Sequence, residues 1–531
     1  LELNFLISAV VVLLCVFANK LSNKVGVPVL LAFILLGMLF GSDGIVKIPF
    51  DNFKLAEVLC TIGLIFIMFY GGFGTKWSEA KPVAFKSILL ASAGVISTAF
   101  ITGLLCHFVL GIGILESLLI GAVLSSTDAA SVFSILRSKK LNLKYRTASM
   151  LELESGANDP FAYMMTIILL SVMGLESSFN SIPYLIFAQP FFGILFGAVV
   201  SYLSCWILKH KKLTPGFDTA FVLAVALLAY ALPVFVGGNG FLSVYVVGLF
   251  LGNSSIENKA PLVNFFDGLT SLMQMMIFFL LGLLSFPSKL PEILPISLAI
   301  AFFLTFIARP LSVFGLLSFG KSHHPQKMLV SLSGLRGAAS IVFSVLVVVS
   351  GVPVENDIFH IVFCIVLLSM GLQGSLLPYI SRKLDMIDDS ENVLRTFNDY
   401  IDEDEIMFIS VEVKENHEWS GKSLKEISLP PDTVVATVLR GEEVIIPKGD
   451  TVLQDGDSVV LTARSFKSAS GVELKEIHAY DREHWPGKTL SEIKFYDDTI
   501  VVLVKRGENV VIPDGNTLVQ EDDILVVTQK I

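Results

Sequence analysis

Two short clusters hold the residues best equipped for chemistry: Ser125-Ser126-Thr127-Asp128 and Glu154-Ser155-Gly156-Ala157-Asn158-Asp159-Pro160. Each lies inside an apolar run of membrane-spanning length, where an ionisable group is costly unless it is paired or hydrated. Ser155 and Asp159 are four residues apart, as are Glu154 and Asn158, so they line adjacent stripes of one helix face. Their hydroxyl, amide and carboxylate oxygens are hard ligands, suited to alkali cations rather than transition metals. Pro160 lacks a backbone donor and would free a carbonyl one turn earlier. Ser125 to Asp128 make a poor continuous apolar helix, and a break there would expose carbonyls and a half-helix N-terminus. Burial penalises a charged Asp159, so a proton and a cation compete for it. An empty, charged Asp159 is costly to carry through a low-dielectric barrier, whereas a loaded one is not. That competition suffices for exchange.

Other buried charges must neutralise this centre. Arg309 precedes Pro310, and Arg336 lies in Ser333-Gly334-Leu335-Arg336-Gly337-Ala338-Ala339, whose glycines suggest a second break. Glu154–Arg336 is the expected pair, with Arg309 lending a second positive charge. An arginine beside buried acids is more often a structural counter-charge than a ligand. Glu152, a turn nearer the basic loop, suits a funnel or helix-end role. Asp218 and Asp267 lie near expected helix starts, where acids offset the macrodipole. His107 and His360 are expected to be solvated or capping, while His323 and His324 fall in a loop where they could contribute to pH sensing.

The elements that must position these groups are legible from composition. The 531 residues are 53% hydrophobic and 16% charged, with a mean hydropathy of +0.72, which points to lipid as solvent. Residues 1–384 are a train of apolar segments and 385–403 an acidic linker. The rest reads as soluble and supplies most of the net charge of −10, which argues against nucleic acid. The apolar runs give about 13 spans, near 5–19, 25–41, 55–74, 83–110, 115–136, 147–174, 186–208, 218–235, 240–253, 262–286, 293–319, 327–350 and 357–380. The stretch 5–19 is read as a membrane helix rather than a signal peptide, because no basic n-region precedes it. Alternate loops collect Lys20, Lys24, Lys76, Lys81, Arg137, Lys139, Lys140, Lys144, Arg146, Lys209, Lys211, Lys212, Lys259, Lys321, Lys327, Arg382 and Lys383. The opposite loops hold Lys47, Lys54 and Lys289. The bias predicts an N-terminus outside and a cytoplasmic tail in a bacterial inner membrane. All five cysteines lie in apolar segments without metal-ligand spacing.

Thr127-Asp128 and Glu154-Ser155-x-x-Asn158-Asp159, with Arg336 later, resemble the monovalent cation:proton antiporters of the NhaP type across the whole membrane half. The resemblance implies a homodimer of 13-helix protomers with two inverted six-helix repeats and crossed discontinuous helices at segments 5 and 12. A core of segments 4–6 and 11–13 would move, elevator-like, against a dimerising scaffold. It also implies that Asp159 binds ion or proton, that Ser155 and Thr127 supply oxygens to a monovalent cation, that Asp128 supports the crossing, and that Arg336 holds Glu154. Asn158-Asp159, rather than two aspartates, is similar to the electroneutral branch. Many sodium-selective relatives carry proline after Thr-Asp. Here Ala129 follows, which looks more like the potassium/proton members and puts K+ ahead of Na+ or Li+.

The tail repeats at a period of about 66 residues. Trp419-x-Gly421-Lys422-x-Leu424-x-Glu426-Ile427 returns as Trp485-x-Gly487-Lys488-x-Leu490-x-Glu492-Ile493, Arg440-Gly441-Glu442 as Arg506-Gly507-Glu508, and Asp457 as Asp523. Each unit reads as a short helix (422–427) followed by strands at 434–439, 444–447 and 458–463, giving two α+β lobes over 404–465 and 466–531. The lobes resemble RCK-C (TrkA-C) domains, which implies a further dimer contact and a nucleotide or cyclic-dinucleotide regulator in some members. Arg440 and Arg506 could grip phosphate, although arginines in hairpin turns are usually only solvated. No GxGxxG follows a strand in the tail, which disfavours NAD. Neither a nucleophile–base pair nor a phosphate loop marks an enzyme. A tail-gated cation channel is the rival from another class, but no filter sequence of the TVGYG kind is present.

Overall fold

The computed structural model describes residues 2–25, 28–139, 141–174, 182–210, 214, 216–254, 256, 259–318, 322–388, 406–414, 417–429, 433–441, 443–464, 472–479, 485–493, 500–506, 509–511 and 513–530. Lys140, Lys211, Lys212, Lys321, Glu442, Gly507, Glu508 and the linker beyond 388 lie outside them. The chain divides into two compact units, Leu1–Tyr400 and Ile401–Ile531.

The first unit is helical. It opens with α1 (Glu2–Val25), α2 (Val29–Phe40) and α3 (Phe53–Gly74), and α2 starts directly after Pro28, a residue tolerated at a helix entrance. Next, α4 (Trp77–Ala80) and α5 (Ala84–Leu89) lead through a π turn into α6 (Val95–Leu110), which Gly111 ends at φ 73°. Then come α7 (Ile114–Ser125), α8 (Ala129–Ser138), α9 (Thr147–Val172), α10 (Ile182–His210), α11 (Phe217–Val234), α12 (Gly240–Gly252) and α13 (Lys259–Leu284). The unit closes with α14 (Leu290–Phe303), α15 (Arg309–Ser318), α16 (His324–Leu332), α17 (Ala338–Ser350), α18 (Ile358–Leu368) and α19 (Ser375–Lys383). Among the described residues, seven continuous helical stretches are long and apolar enough to cross a membrane, and five further apolar helices are shorter.

Two of the expected spans are interrupted where the sequence suggested. Ser126 to Asp128 separate α7 from α8, and Ser333 to Gly337 separate α16 from α17. The breaks meet, with the Asp128 amide donating to the Leu335 carbonyl at 2.8 Å. By contrast α9 runs on through Pro160. Lys327 is not in a loop: it is buried within α16, and its ammonium donates to Ser318 at 3.1 Å.

Close helix contacts rest on glycine. A methyl group on Gly248 of α12 would overlap the Phe69 carbonyl of α3, and one on Gly282 of α13 would overlap the Ile34 carbonyl of α2. Phe69, Phe73 and Phe266 fill the space between α3 and α13.

After α19 the chain folds back onto the loop between α8 and α9. Leu143 bridges Ile387, Lys144 donates its amide to Met386, and Lys144 also pairs with Asp385 at 3.0 Å. Met386 is fully buried beside Leu141 and Leu143. In the same loop, Tyr145 and Arg146 both have positive φ (61° and 54°), a strained conformation for residues with side chains.

The second unit is two four-stranded antiparallel sheets. β1 (Ile406–Glu412), β2 (Val434–Arg440), β3 (Glu443–Ile445) and β4 (Ser458–Arg464) have the order β1-β4-β2-β3. β5 (Val472–His478), β6 (Ile500–Arg506), β7 (Asn509–Val511) and β8 (Asp523–Lys530) repeat it as β5-β8-β6-β7. Even the bulge repeats, at Val435/Thr437 and Val501/Leu503. The expected α+β lobe is corrected to a β-sheet lobe. Its short helix is a single 3-10 turn at Leu424–Glu426, held by a Ser423–Glu426 capping box and too short to go on without more periodic residues. The first strand of each lobe went unread, because Ile406–Glu412 follows an acidic stretch with no turn signal between.

Candidate functional site: a buried carboxylate at the meeting of two broken helices

The site is built from α9 and the two breaks. Ser126, freed from helical geometry, donates its hydroxyl to Asp159 Oδ1. Asp159 is 7% exposed, and its Oδ2 has no hydrogen-bond partner among the described residues. Asn158 donates its amide to the Thr127 hydroxyl, and Ser155 donates its hydroxyl to the Thr127 carbonyl at 2.7 Å. The break and one face of α9 are thus stitched together residue by residue. Asp128 instead caps α8, accepting from the Ser131 amide at 3.2 Å and the Ser131 hydroxyl. Gly337 lies against the Asp128 carboxylate so closely that a methyl group there would overlap it.

Sequence reasoning named Asp159, Ser155, Asn158, Thr127 and Asp128, and the structure brings all five together. It passed over Ser126 as an Asp159 partner.

The charge pairing differs from expectation. Glu154 forms its ion pair with Arg309, both residues at most 2% exposed. Arg336 donates Nη1 to the Ser126 carbonyl at 2.7 Å, and its own amide is held by Ser369 at 3.0 Å. The expected Glu154–Arg336 pair is therefore corrected. Arg336 sits at a helix break, where an unpaired carbonyl needs a donor, while Arg309 rises from a continuous segment facing α9. Glu152 accepts from Thr75 at 3.2 Å.

A cavity of about 380 Å³ opens onto Asp159, Ser155, Thr127 and Asp128 and is also lined by α3, α13 and the start of α17. Asp267 lines it, eight residues beyond the start of α13. It is therefore not a helix-start acid as expected, whereas Asp218 is the second residue of α11. Of the solvated and capping roles expected for His360, the structure shows the second, since it binds the Phe286 amide where a short helical turn begins. It is 3% exposed, accepts from the Phe286 amide at 3.0 Å and bonds Asp357 at 2.8 Å. His107 bonds the Ile112 carbonyl at 2.7 Å. His323 stacks on Tyr145 with ring centroids 4.2 Å apart, and His324 begins α16.

In the second unit, Arg440 and Arg506 each commit two guanidinium nitrogens to a buried aspartate. Arg440 is bidentate on Asp457 (2.8 and 2.7 Å) and Arg506 bidentate on Asp523 (2.8 and 2.7 Å). The Arg440 hydrogen bonds hold the Asp457 carboxyl below the usual range against the effect of its burial. At Asp523 burial acts upward, but the Arg506 and Gln520 bonds outweigh it and the carboxyl again lies below normal.

Helices interrupted at mid-length beside a buried carboxylate are the architecture of a secondary ion transporter. Residues 7–383 match the family model described as sodium/hydrogen exchanger, transmembrane, and residues 408–465 and 476–530 each match the TrkA-C domain. The K(+)/H(+) antiporter NhaP2 of Shewanella sp. (strain MR-4) is 34% identical over 461 residues, covering 85% of this chain and 80% of that protein. The K(+)/H(+) antiporter NhaP of Alkalimonas amylolytica is 34% identical over 470 residues, covering 87% and 82%. The solved structure of the sodium proton antiporter MjNhaP1 from Methanocaldococcus jannaschii at pH 8 superposes with a TM-score of 0.65 at 26% identity. That match covers 72% of this chain and 99% of the other. The chain belongs to the sodium/hydrogen exchanger family and carries two TrkA-C domains at its C-terminal end.

Proposed function

We propose that the protein exchanges K+ for H+, one for one, at Asp159. The observation that carries this is the half-engaged carboxylate of a residue that lines the cavity: Oδ1 is held by Ser126, while Oδ2 has no hydrogen-bond partner among the described residues. Either a proton or a cation fits that vacancy in charge, and Ser155 and Thr127 supply neighbouring oxygens. K+ rather than Na+ is supported by the K(+)/H(+) antiporters that match along most of their length. Na+ is the second reading, favoured by the superposition on a sodium proton antiporter.

The transport cycle we infer is an elevator-type alternation within a homodimer of protomers with about 13 spans and inverted repeats, N-terminus outside and tail in the cytoplasm. The interrupted helices and their shared hydrogen bond support the moving core. The tail lobes regulate by adding a dimer contact. The fold-back of 385–388 onto the α8–α9 loop supports a route from tail to site, because that loop joins α8, which Asp128 caps, to α9, which carries Asp159. A nucleotide or cyclic dinucleotide at the lobes would meet Arg440 and Arg506 already engaged, so lobe pairing is the favoured mode.

The test is cation-induced proton release in proteoliposomes with K+, Na+ and Li+ across pH 6–9, comparing the unaltered chain with Asp159→Asn. The proposal expects electroneutral exchange, with K+ giving the fastest rates, and none in the variant. Exchange retained by Asp159→Asn would refute the site. A steady current without an imposed proton gradient would instead make the protein a channel.

A further inference from the structure

The wall that α13 gives the cavity is chemically unusual. α13 is apolar, yet it places Asp267, Thr270, Ser271 and Gln274 at the cavity. Their spacing of three, four and seven residues puts them on one face, over about 10 Å of helix. Asp267 is exposed and has neither an ion pair nor a hydrogen bond among the described residues. Thr270 is 8% exposed, and its hydroxyl has no hydrogen-bond partner among the described residues. A buried hydroxyl without a partner is unfavourable unless something supplies one, and an unpaired carboxylate three residues away on the same stripe draws cations towards it.

We infer that this face of α13 is a staging site for the transported monovalent cation, where Asp267 supplies charge and Thr270, Ser271 and Gln274 supply oxygens before the ion reaches Asp159. The inference rests on the exchange reading of Asp159 and extends it to a second helix. Exchange at Asp159 requires the cation to shed water. A stripe of neutral oxygens beside one carboxylate lets it do so in stages, with the acid focusing cations into a low-dielectric cleft. Because Asp267 is separate from the exchanged carboxylate, it governs capture rather than turnover.

The experiment measures initial rates of K+-driven proton movement in proteoliposomes of the full chain, for Asp267→Asn, Asp267→Glu and Thr270→Val. Asp267→Asn is expected to raise the KM for K+ about tenfold, the lower end of what a charged cleft contributes, with kcat within about twofold. Choline chloride at high ionic strength should shrink that difference by screening, and Asp267→Glu should restore the low KM. Thr270→Val should change the ratio of KM values among K+, Rb+ and Li+. An unchanged KM in Asp267→Asn, or a fall in kcat with KM unchanged, overturns the inference. Asp159→Asn, run alongside, separates the two claims: if it is inactive while Asp267→Asn is unaltered, only the staging site fails.

Discussion

Replacing Arg309 by Met removes one partner of an ion pair in which both residues are at most 2% exposed. A buried carboxylate left without its counter-charge costs about 3–5 kcal/mol. Arg336→Met removes a hydrogen bond to the neutral Ser126 carbonyl, where loss of the donor costs about 1–3 kcal/mol. The cleaner measurement is coupling to Glu154. In a cycle with Glu154→Gln, contacting partners couple by about 0.5–3 kcal/mol, so Arg309 should fall near the top of that range and Arg336 at less than half of it. The assay is chemical unfolding of the purified full chain in detergent micelles, followed by tryptophan fluorescence, for the single and double variants. Glu154→Gln combined with Arg309→Met should be more stable than Arg309→Met alone, because no uncompensated charge remains buried. Equal coupling, or a larger value for Arg336, would refute the assignment of the pair.

Gly337→Ala pushes a methyl group into the Asp128 carboxylate; exchange in proteoliposomes should fall by more than about tenfold, since the overlap needs a backbone shift at the break. Gly248→Ala should destabilise the α3–α12 contact by about 1–3 kcal/mol through overpacking against Phe69, read in the same unfolding assay with the exchange site unchanged. In the tail, Asp457 has a depressed carboxyl pKa. Its contribution to lobe stability is therefore fully present above the ordinary value near ~4 and is lost as pH falls through the lower folded value. Hydrogen exchange of Val434–Arg440 in the full chain, corrected for intrinsic rates, should show that acid loss, and Asp457→Asn should remove it.

Helix placement was legible because lipid burial imposes long apolar runs, and a helix is the way to satisfy the backbone there. Both interruptions were legible for the opposite reason: Ser-Ser-Thr-Asp and the glycines around Arg336 are poor choices for a continuous apolar helix. Which guanidinium meets Glu154 was not legible. Arg309 and Arg336 are far apart in sequence, and the choice depends on how the helices are arranged around α9, a tertiary fact without local periodicity. Asp267 was misread because its segment was taken to begin at 262. The three extra residues of α13 from Lys259 move it out of the first turn, beyond the reach of the helix dipole. In the tail, internal repetition was strong evidence for two lobes, but the first strand and the 3-10 turn depend on sheet pairing between distant segments.

The charges at the breaks bear on stoichiometry. At the breaks Asp128, Glu154 and Asp159 stand against Arg309 and Arg336, three acids to two guanidiniums, while Glu152 lines the same cavity and bonds Thr75. Glu154 is neutralised by Arg309, and Arg336 is fixed to the Ser126 carbonyl that neighbours Asp159 and Asp128. With Asp159 ionised the group carries one excess negative charge; one proton or one K+ brings it to zero. A second monovalent ion would leave the group positive and restore the cost of moving a net charge through a low-dielectric barrier. Asn158 is essential to this count. An aspartate there would add a second negative charge, allowing two positive charges to be carried in one half of the cycle. Asn158→Asp should therefore shift the exchange towards electrogenic behaviour, read as a membrane-potential change in potassium-loaded proteoliposomes. If the variant remains electroneutral, charge balance at the breaks does not set the stoichiometry.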